Sequence, residues 1–219
     1  MSRATSASAP AAAVFADPRA PQFAQARAHR TYEALIAAAS AAFAADGYDA
    51  TGTPDIARRA RVSVGTFYRY FDDKRQVFIE VSRRHLAAGY ARITAGLTPE
   101  RFVGKARRQT IALTVDVLCA HVAQFPAMQR VFVEMALRDP EVAALRRAFD
   151  DLGRERLTAL IAAITPRERV PDPAATAWVL YVAAVETAAA LAGLHGPVAV
   201  PAADAKAALV TVLERALFP

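Results

Sequence analysis

The chain has 219 residues, 54% of them hydrophobic and only 9 of them glycine, which predicts one large or two small packed, helix-rich domains. Its single cysteine, Cys119, excludes an intrachain disulfide and agrees with a reducing, cytoplasmic location. The formal charge of +6 is uneven, because residues 1–95 hold 13 Lys+Arg against 8 Asp+Glu and residues 96–219 hold 14 against 13, as expected if the N-terminal part binds phosphates.

Residues 1–26 are rich in alanine, proline and serine, carry scattered arginines and show no sustained period. This composition predicts a disordered tail. A weak signal peptide is the alternative for the apolar run at residues 9–16, but that run is short and contains Pro10. The arginines of the tail could also contact DNA phosphates.

A first helix is predicted from about Arg27 to Asp46, where apolar side chains recur at helical spacing. Gly47 is expected to end it, because glycine adopts the left-handed conformation that often follows a helix. This helix would support two shorter helices, giving a three-helix DNA-binding domain over residues 27–80.

The two shorter helices have the spacing of a helix-turn-helix. Thr53 is the expected N-cap of the first, which would run from Pro54 to about Ala60. After a tight turn at Arg61 and Val62, Ser63 is the expected N-cap of the second helix, predicted over Val64–Phe71.

The second helix carries Gly65 and Thr66 at its start and leaves Tyr68, Arg69 and Tyr70 on the side opposite its packing face. Small residues permit close approach to a major groove, and arginine and tyrosine can reach base edges and phosphates. Two short helices joined by a turn also occur in many all-α proteins, so ordinary packing is the alternative.

Lys74 follows Asp72 and Asp73 at the start of the next predicted helix, where the helix dipole disfavours a cation. A bound phosphate would compensate, since it could contact both the ammonium and the helix N-terminus.

The rest of the chain is predicted to be helical. A long helix over about 74–94 precedes five more at about 100–124, 127–138, 140–164, 173–194 and 202–217, separated by proline-containing breaks. No alternating strand pattern is present in the sequence, so the predicted fold class is all-α with about nine helices. Residues 81–219 would form the C-terminal helical domain, with the boundary inside the long helix.

Polar side chains on the fifth predicted helix could line a ligand cavity, although a solvated face or a satisfied core histidine is the alternative. Aromatic residues elsewhere could join them, or could belong to the core. The candidate ligand-binding residues are Tyr90, Thr114, Val117, His121, Phe125, Trp178 and Tyr181.

Residues 174–194 contain one charge, Glu186, and are long enough to span a bilayer. Alanine dominates this stretch, and a carboxylate in mid-span is unfavourable, so a buried helix and no membrane contact are predicted. Its small residues would let a partner helix approach closely, as in a subunit interface built with the last helix.

The run DIARRARVSVGTFYRYFDDK closely resembles the DNA-binding signature of TetR-family (tetracycline-repressor-like) transcription regulators. The resemblance covers roughly Arg27–Val81 and departs at Arg61, where the family commonly has glycine. It implies a bacterial repressor that binds a near-palindromic double-stranded DNA operator as a homodimer. It also implies release by a small-molecule effector bound in the C-terminal domain. The small residues described above favour a dimer interface formed by the last two helices.

The resemblance assigns roles residue by residue. Phosphate contacts fall to Thr53, Tyr68, Tyr70 and Lys74, and base-edge contacts to Val64, Gly65, Thr66 and Arg69. Among the second group, Arg69 is the expected polar reader, with guanine as its target.

Two other classes of function were weighed. An α-helical enzyme or small-molecule carrier could use Glu134, Glu186, His121 and His195, but the sequence has no metal-ligand spacing or phosphate loop to support it, and no catalytic residue, cofactor or metal is predicted. A regulator that answers to a protein partner, or to no ligand, is the other alternative.

Overall fold

The computed structural model describes residues 15–16, 26–102 and 106–218 of the chain. Within these ranges there are nine α-helices, one 3-10 helix (Pro99–Phe102) and no strand, which confirms the all-α prediction. The helices are α1 (Ala26–Ala50), α2 (Thr53–Arg59), α3 (Val64–Phe67), α4 (Lys74–Thr94), α5 (Ala106–Gln124), α6 (Pro126–Arg138), α7 (Pro140–Ile164), α8 (Pro173–Leu191) and α9 (Ala202–Leu217). The tail predicted over 1–26 lies outside the described residues, apart from Phe15, Ala16 and Ala26.

The chain divides into two compact units. The first comprises Met1–Ala88 with Ala127–Arg146, and the second comprises Gly89–Pro126 with Arg147–Pro219. Helices α4 and α7 therefore contribute residues to both units. The limits 27–80 and 81–219 drawn from the sequence stay a prediction.

Aromatic rings form the centre of the first unit. Phe43 of α1 meets Phe78 of α4 edge to face, with ring centroids 5.2 Å apart, and both side chains are fully buried. Tyr32 of α1 stacks on Phe71 at the same centroid distance. Such pairs add to the free energy gained by burial, so the helical spacing of apolar residues in α1 is explained by this core.

Gly47 interrupts α1 as the sequence predicts. Its φ of 78° and ψ of 174° are not helical, and the short helical segment that follows it has a different direction. Glycine adopts this φ without the steric cost that a Cβ would bring.

Ion pairs explain why Ala127–Arg146 groups with the first unit. Asp139 accepts from the Arg75 guanidinium, which also donates to Glu141 at 3.1 Å, and Arg138 donates to Asp49 at 2.9 Å. The hydrogen bond from Arg75 lowers the pKa of Asp139. Asp139 also accepts from the backbone N–H of Glu141 at 2.9 Å, so it caps α7.

The second unit has a separate core in which α5 packs against α8 and α9. Its buried centre includes Val115 of α5, Leu180 of α8 and Val210 of α9. Cys119 is buried in the same core, and burial raises the pKa of its thiol. A buried thiol with a raised pKa is unreactive, since only the thiolate is reactive.

The prediction that residues 174–194 form a buried helix is wrong for the single chain. Helix α8 ends at Leu191 and buries only Ala177, Leu180 and Ala188, whereas Trp178 and Val179 are 54% and 56% exposed. One stripe of α8 packs on α5 and α9, and a single chain leaves the opposite face uncovered. Helix α8 has a mean hydropathy of 1.5, and 17% of its apolar stretch is buried. By length and composition alone it could cross a membrane, and α5 and α6 together could do so as a bent pair.

Candidate nucleic-acid interface and cavity

The first helix of the motif starts one residue earlier than predicted. Gly52, and not Thr53, is the N-cap of α2: its carbonyl accepts from Asp55 N at 3.1 Å, and its N–H donates to the Asp55 carboxylate at 3.4 Å. The Thr53 hydroxyl lies 3.1 Å from the Tyr68 hydroxyl instead. Two predicted phosphate contacts are therefore neighbours, joining the start of α2 to the segment after α3.

Helix α2 ends in a Schellman turn. Val62 N donates to Ala57 O at 3.0 Å, and Arg61 N donates to Arg58 O at 3.1 Å. In this motif the residue just before Val62 must adopt the left-handed conformation, and that residue is usually glycine. Here it is Arg61, with φ 57°. The turn therefore has the expected geometry, with a strained residue at its centre.

Ser63 caps α3 as predicted, since its hydroxyl accepts from Thr66 N at 3.1 Å. The predicted end at Phe71 is wrong, because α3 covers Val64–Phe67 only. Beyond it the bonds tighten to a spacing of three, with Arg69 N donating to Thr66 O at 3.2 Å and Tyr70 N to Phe67 O at 2.9 Å. This tight turn still brings Phe71 into the core beside Phe67, with ring centroids 5.7 Å apart.

The opposite face of this segment is open. Tyr68 is 54% exposed and Val64 38%, and Gly65 and Arg69 are also exposed, whereas Thr66 and Tyr70 are half-buried. The centroid of the Tyr70 ring lies 6.2 Å from that of Tyr32, a buried residue of α1, so Tyr70 packs against the core on one side. The candidate base-reading and phosphate-binding residues of this segment thus share one accessible surface.

Lys74 has a structural role that the sequence did not reveal. Its ammonium donates to the carbonyls of Tyr48 (2.9 Å), Thr51 (3.0 Å) and Asp49 (3.3 Å), and lies 4.5 Å from the centre of the Tyr48 ring. Lysine has three N–H donors, so all three are used. The partners lie 23 to 26 residues away, beyond the reach of any local pattern. The phosphate contact assigned to Lys74 stays a prediction.

The second unit contains a cavity of about 130 Å³. Tyr90 of α4, Thr114 of α5 and Tyr181 of α8 line it, and these are three of the seven candidate ligand residues. Helix α7 supplies Phe149 and Gly153, which the sequence analysis missed.

Three of the four hydroxyl groups on the described residues of the cavity wall donate within the protein. Thr94 donates to the carbonyl of Tyr90 at 2.7 Å, Thr114 to that of Thr110 at 2.9 Å, and Tyr181 to the Asp150 carboxylate at 2.9 Å. The wall is therefore mostly apolar, and these three hydroxyl groups can offer a ligand only their oxygens, as acceptors.

The other four candidate ligand residues do not line this cavity. His121 is 4% exposed and packs against Gly89 of α4, so closely that a Cβ on Gly89 would lie 2.3 Å from its Nε2. Burial lowers the pKa of His121, and Arg92 adds to the effect. Val117 is half-buried, and Phe125 and Trp178 are 47% and 54% exposed.

Residues 35–81 match the family model of bacterial regulatory proteins, tetR family. Those residues include α2, α3 and the whole exposed surface described above. No curated protein matches the chain.

Solved structures of the same fold cover most of the chain. A Mesorhizobium loti protein that carries a TetR-family assignment is similar with a TM-score of 0.66 and 24% identity, over 88% of this chain and 98% of that one. A transcriptional regulator from Rhodococcus sp. Rha1 has a TM-score of 0.62 and 22% identity, over 82% and 92%. A fatty acid degradation regulator from Bacillus halodurans has a TM-score of 0.60 and 17% identity, over 84% and 94%. At these identities the likeness is one of fold.

Proposed function

We propose that the chain, as a TetR-family transcriptional regulator, acts as a repressor by binding a near-palindromic DNA operator as a homodimer. The observation that carries this proposal is the exposed surface of Tyr68 and Arg69 next to the capped start of α3. A surface of this kind, with small residues at its leading end, fits a major groove.

Individual roles follow from the chemistry of each side chain. Arg69 reads a base edge, with guanine favoured because its O6 and N7 accept both donors of a guanidinium. Val64, Gly65 and Thr66 lie close to the bases and offer apolar, backbone and hydroxyl contacts. The hydroxyls of Thr53, Tyr68 and Tyr70 bind phosphates, which fixes the register without reading sequence.

The distribution of charge along the sequence also supports DNA binding by the N-terminal part of the chain. The net charge of residues 1–95 is +5, from 13 Lys+Arg and 8 Asp+Glu, against +1 for residues 96–219. Lys74 contributes to this field, but a phosphate would share its ammonium with three backbone carbonyls. Phosphate neutralisation releases counterions, so operator affinity falls as salt is raised.

The homodimer forms through α8 and α9. Their outer faces expose Trp178, Val179, Val182 and Val212, four large apolar side chains within two helices that pack on each other. Apolar patches of this kind on a single chain mark interaction surfaces. A two-fold axis would place the same patch on both sides of the interface and pair two recognition segments with two half-sites.

Release from DNA follows from effector binding in the cavity. Helix α4 begins at Lys74 and carries Tyr90 in the cavity wall, so it is the element through which ligand and DNA states are coupled. A ligand that favours a state with altered half-site spacing weakens DNA binding, and DNA weakens ligand binding by the same factor. On this account the protein is cytoplasmic, contacts no membrane and is not an enzyme.

Selection of random duplexes by the purified protein tests the proposal. We expect enrichment of a near-palindrome whose half-site centres lie about 34–36 Å apart, one DNA turn. A duplex with the two halves separated by an additional half turn is the control, and it should bind weakly. Failure to enrich any duplex at low salt would contradict the proposal.

A further inference from the structure

We propose that the cavity of the second unit takes one uncharged, apolar molecule about the size of a single aromatic ring. This inference rests on the proposed function, in which the cavity receives the effector, and it names the chemical class of that effector. Three properties of the cavity carry it: the charge of its wall, the state of its hydroxyl groups and its size.

The wall carries no formal charge. Among the described residues that line the cavity there is no lysine, arginine, histidine, aspartate or glutamate. An ionised carboxylate or ammonium placed there would lose its hydration without meeting a counter-ion, which disfavours charged ligands strongly.

Arg156 is a cation close to this wall. Its guanidinium donates to the carbonyl of Leu97, a lining residue, and its Nε has no hydrogen-bond acceptor among the described residues. That donor would favour a carboxylate. A carboxylate ligand therefore belongs in the test as the competing outcome.

The wall also has few free donors. Thr94, Thr114 and Tyr181 each use their hydroxyl hydrogen on an acceptor within the protein. A sugar, a nucleoside or another ligand with many polar groups would leave most of them unsatisfied, and each such group disfavours binding. An apolar ligand has no polar groups that would be left without hydrogen-bond partners.

Size and shape favour a ring. The volume of about 130 Å³ is close to that of an engineered apolar cavity of about 150 Å³ that stays dry and binds benzene. Tyr90, Phe102, Phe149 and Tyr181 contribute four aromatic rings to the wall, which can meet a ligand ring edge to face or stacked. A long acyl chain exceeds this volume.

Three probes separate these properties: toluene, benzoate, which replaces the methyl group by a carboxylate, and palmitate. Thermal unfolding and calorimetric titration of the full chain measure their binding. We expect toluene to raise the melting temperature and to bind with a Kd at least tenfold lower than that of benzoate, and palmitate to give no shift. Binding of benzoate or palmitate as tight as that of toluene, or no binding of toluene, would overturn the inference.

Variants show whether toluene occupies this cavity. Ala184 of α8 lines it, so Ala184→Leu should lower toluene affinity at least tenfold by filling the space. Ala163→Leu makes the same change at an exposed position on α7 and should leave toluene affinity within twofold. Ala184→Val, a smaller addition that is easier to accommodate, should give an intermediate loss. Unchanged toluene binding by both Ala184 variants would place the ligand elsewhere and refute the assignment.

Operator binding, measured with and without toluene, keeps this inference apart from the proposed function. Operator binding that persists in a protein that does not bind toluene overturns the ligand class alone. Toluene bound without any change in operator affinity supports the ligand class and contradicts effector release.

Discussion

Arg61 holds the turn of the DNA-binding motif in a conformation that suits glycine better. Its φ of 57° places it in the left-handed region, where the Cβ of an L-residue meets the following carbonyl oxygen. The hydrogen bonds of the Schellman turn on either side over-determine this geometry. The backbone strain at Arg61 therefore persists in the folded protein, and replacing Arg61 by glycine should remove it.

Arg61→Gly should stabilise the protein relative to Arg61→Ala by about 1 kcal/mol, because glycine removes the left-handed cost while alanine keeps it. Urea denaturation of both variants measures the difference in free energy of unfolding. Arg58, which is exposed within α2, provides the control pair. There, glycine should be less stable than alanine by about 1 kcal/mol. If alanine is at least as stable as glycine at position 61, as it should be at position 58, Arg61 is not strained.

Lys74 acts on the fold through three carbonyls at the end of α1. Lys74→Met keeps the aliphatic stem but removes the ammonium, so the carbonyls of Tyr48, Asp49 and Thr51 lose their charged donor. We expect the free energy of unfolding to fall by about 1.5–3 kcal/mol, the usual range for hydrogen bonds to a charged group.

Lys206→Met is the matched control for this change. Lys206 makes one exposed ion pair, with Asp116 at 2.8 Å, and such pairs contribute about 0–1 kcal/mol. Equal losses in the two variants would contradict a structural role for Lys74. The salt dependence of operator binding by Lys74→Met is a separate readout, and a slope lower by about one would support the phosphate contact predicted from the sequence.

Contact between α4 and α5 explains which of the predicted ligand residues reach the cavity. Thr114 and His121 both belong to the polar stripe of α5, yet α4 approaches α5 at Gly89 and covers His121. Thr114, further from this contact, remains in the cavity wall. A helical stripe is readable from the sequence, but the point at which a second helix covers it is not.

Gly89→Ala should destabilise the protein, although alanine is the better helix former. The added Cβ would lie 2.3 Å from His121 Nε2, so the two helices must separate, and overpacking of this kind costs about 1–3 kcal/mol. In an His121→Ala background the same change should be neutral or stabilising, which a double-mutant cycle measures. Gly65→Ala, whose nearest neighbour would be 3.9 Å away, is the control and should not lower stability.

Helix boundaries were predictable where local chemistry sets them. Pro126, Pro140 and Pro173 begin α6, α7 and α8, as the proline-containing breaks indicate, and Ser63 caps α3. Two predicted boundaries were wrong. Thr53 was predicted to cap α2, but its hydroxyl lies beside that of Tyr68. Helix α3 was predicted to reach Phe71, but the backbone hydrogen bonds tighten to a spacing of three before that residue. Both errors arise from contacts that compete with a local preference.

The prediction that α8 is buried is wrong for a reason that is visible only at the scale of the whole molecule. Its apolar composition suits burial, but a single chain covers only one stripe, and Trp178 remains 54% exposed. A sequence pattern reports that a surface is apolar and does not distinguish a core from a subunit interface.

If the proposed dimer forms through α8, Trp178→Glu should shift it to monomers without unfolding the chain, because the added charge would be buried against its symmetry mate. Sedimentation velocity over a range of protein concentrations measures the change, and circular dichroism checks that the helices remain. Leu137→Glu, at a side chain that is 85% exposed on α6, is the control and should leave the dimer intact. An unaltered dimer in Trp178→Glu would remove α8 from the interface.

The central claim is that the exposed segment after α3 reads DNA sequence, with Arg69 as its polar reader. Its most direct test is the affinity of Arg69→Ala for the selected operator and for operators changed one base pair at a time, beside Arg167→Ala, an exposed arginine of the second unit, as control. We predict that Arg69→Ala loses about 1–3 kcal/mol on the operator and no longer discriminates at one base pair in each half-site, while Arg167→Ala behaves as the unaltered protein. An equal loss on every duplex, or none, would contradict the claim.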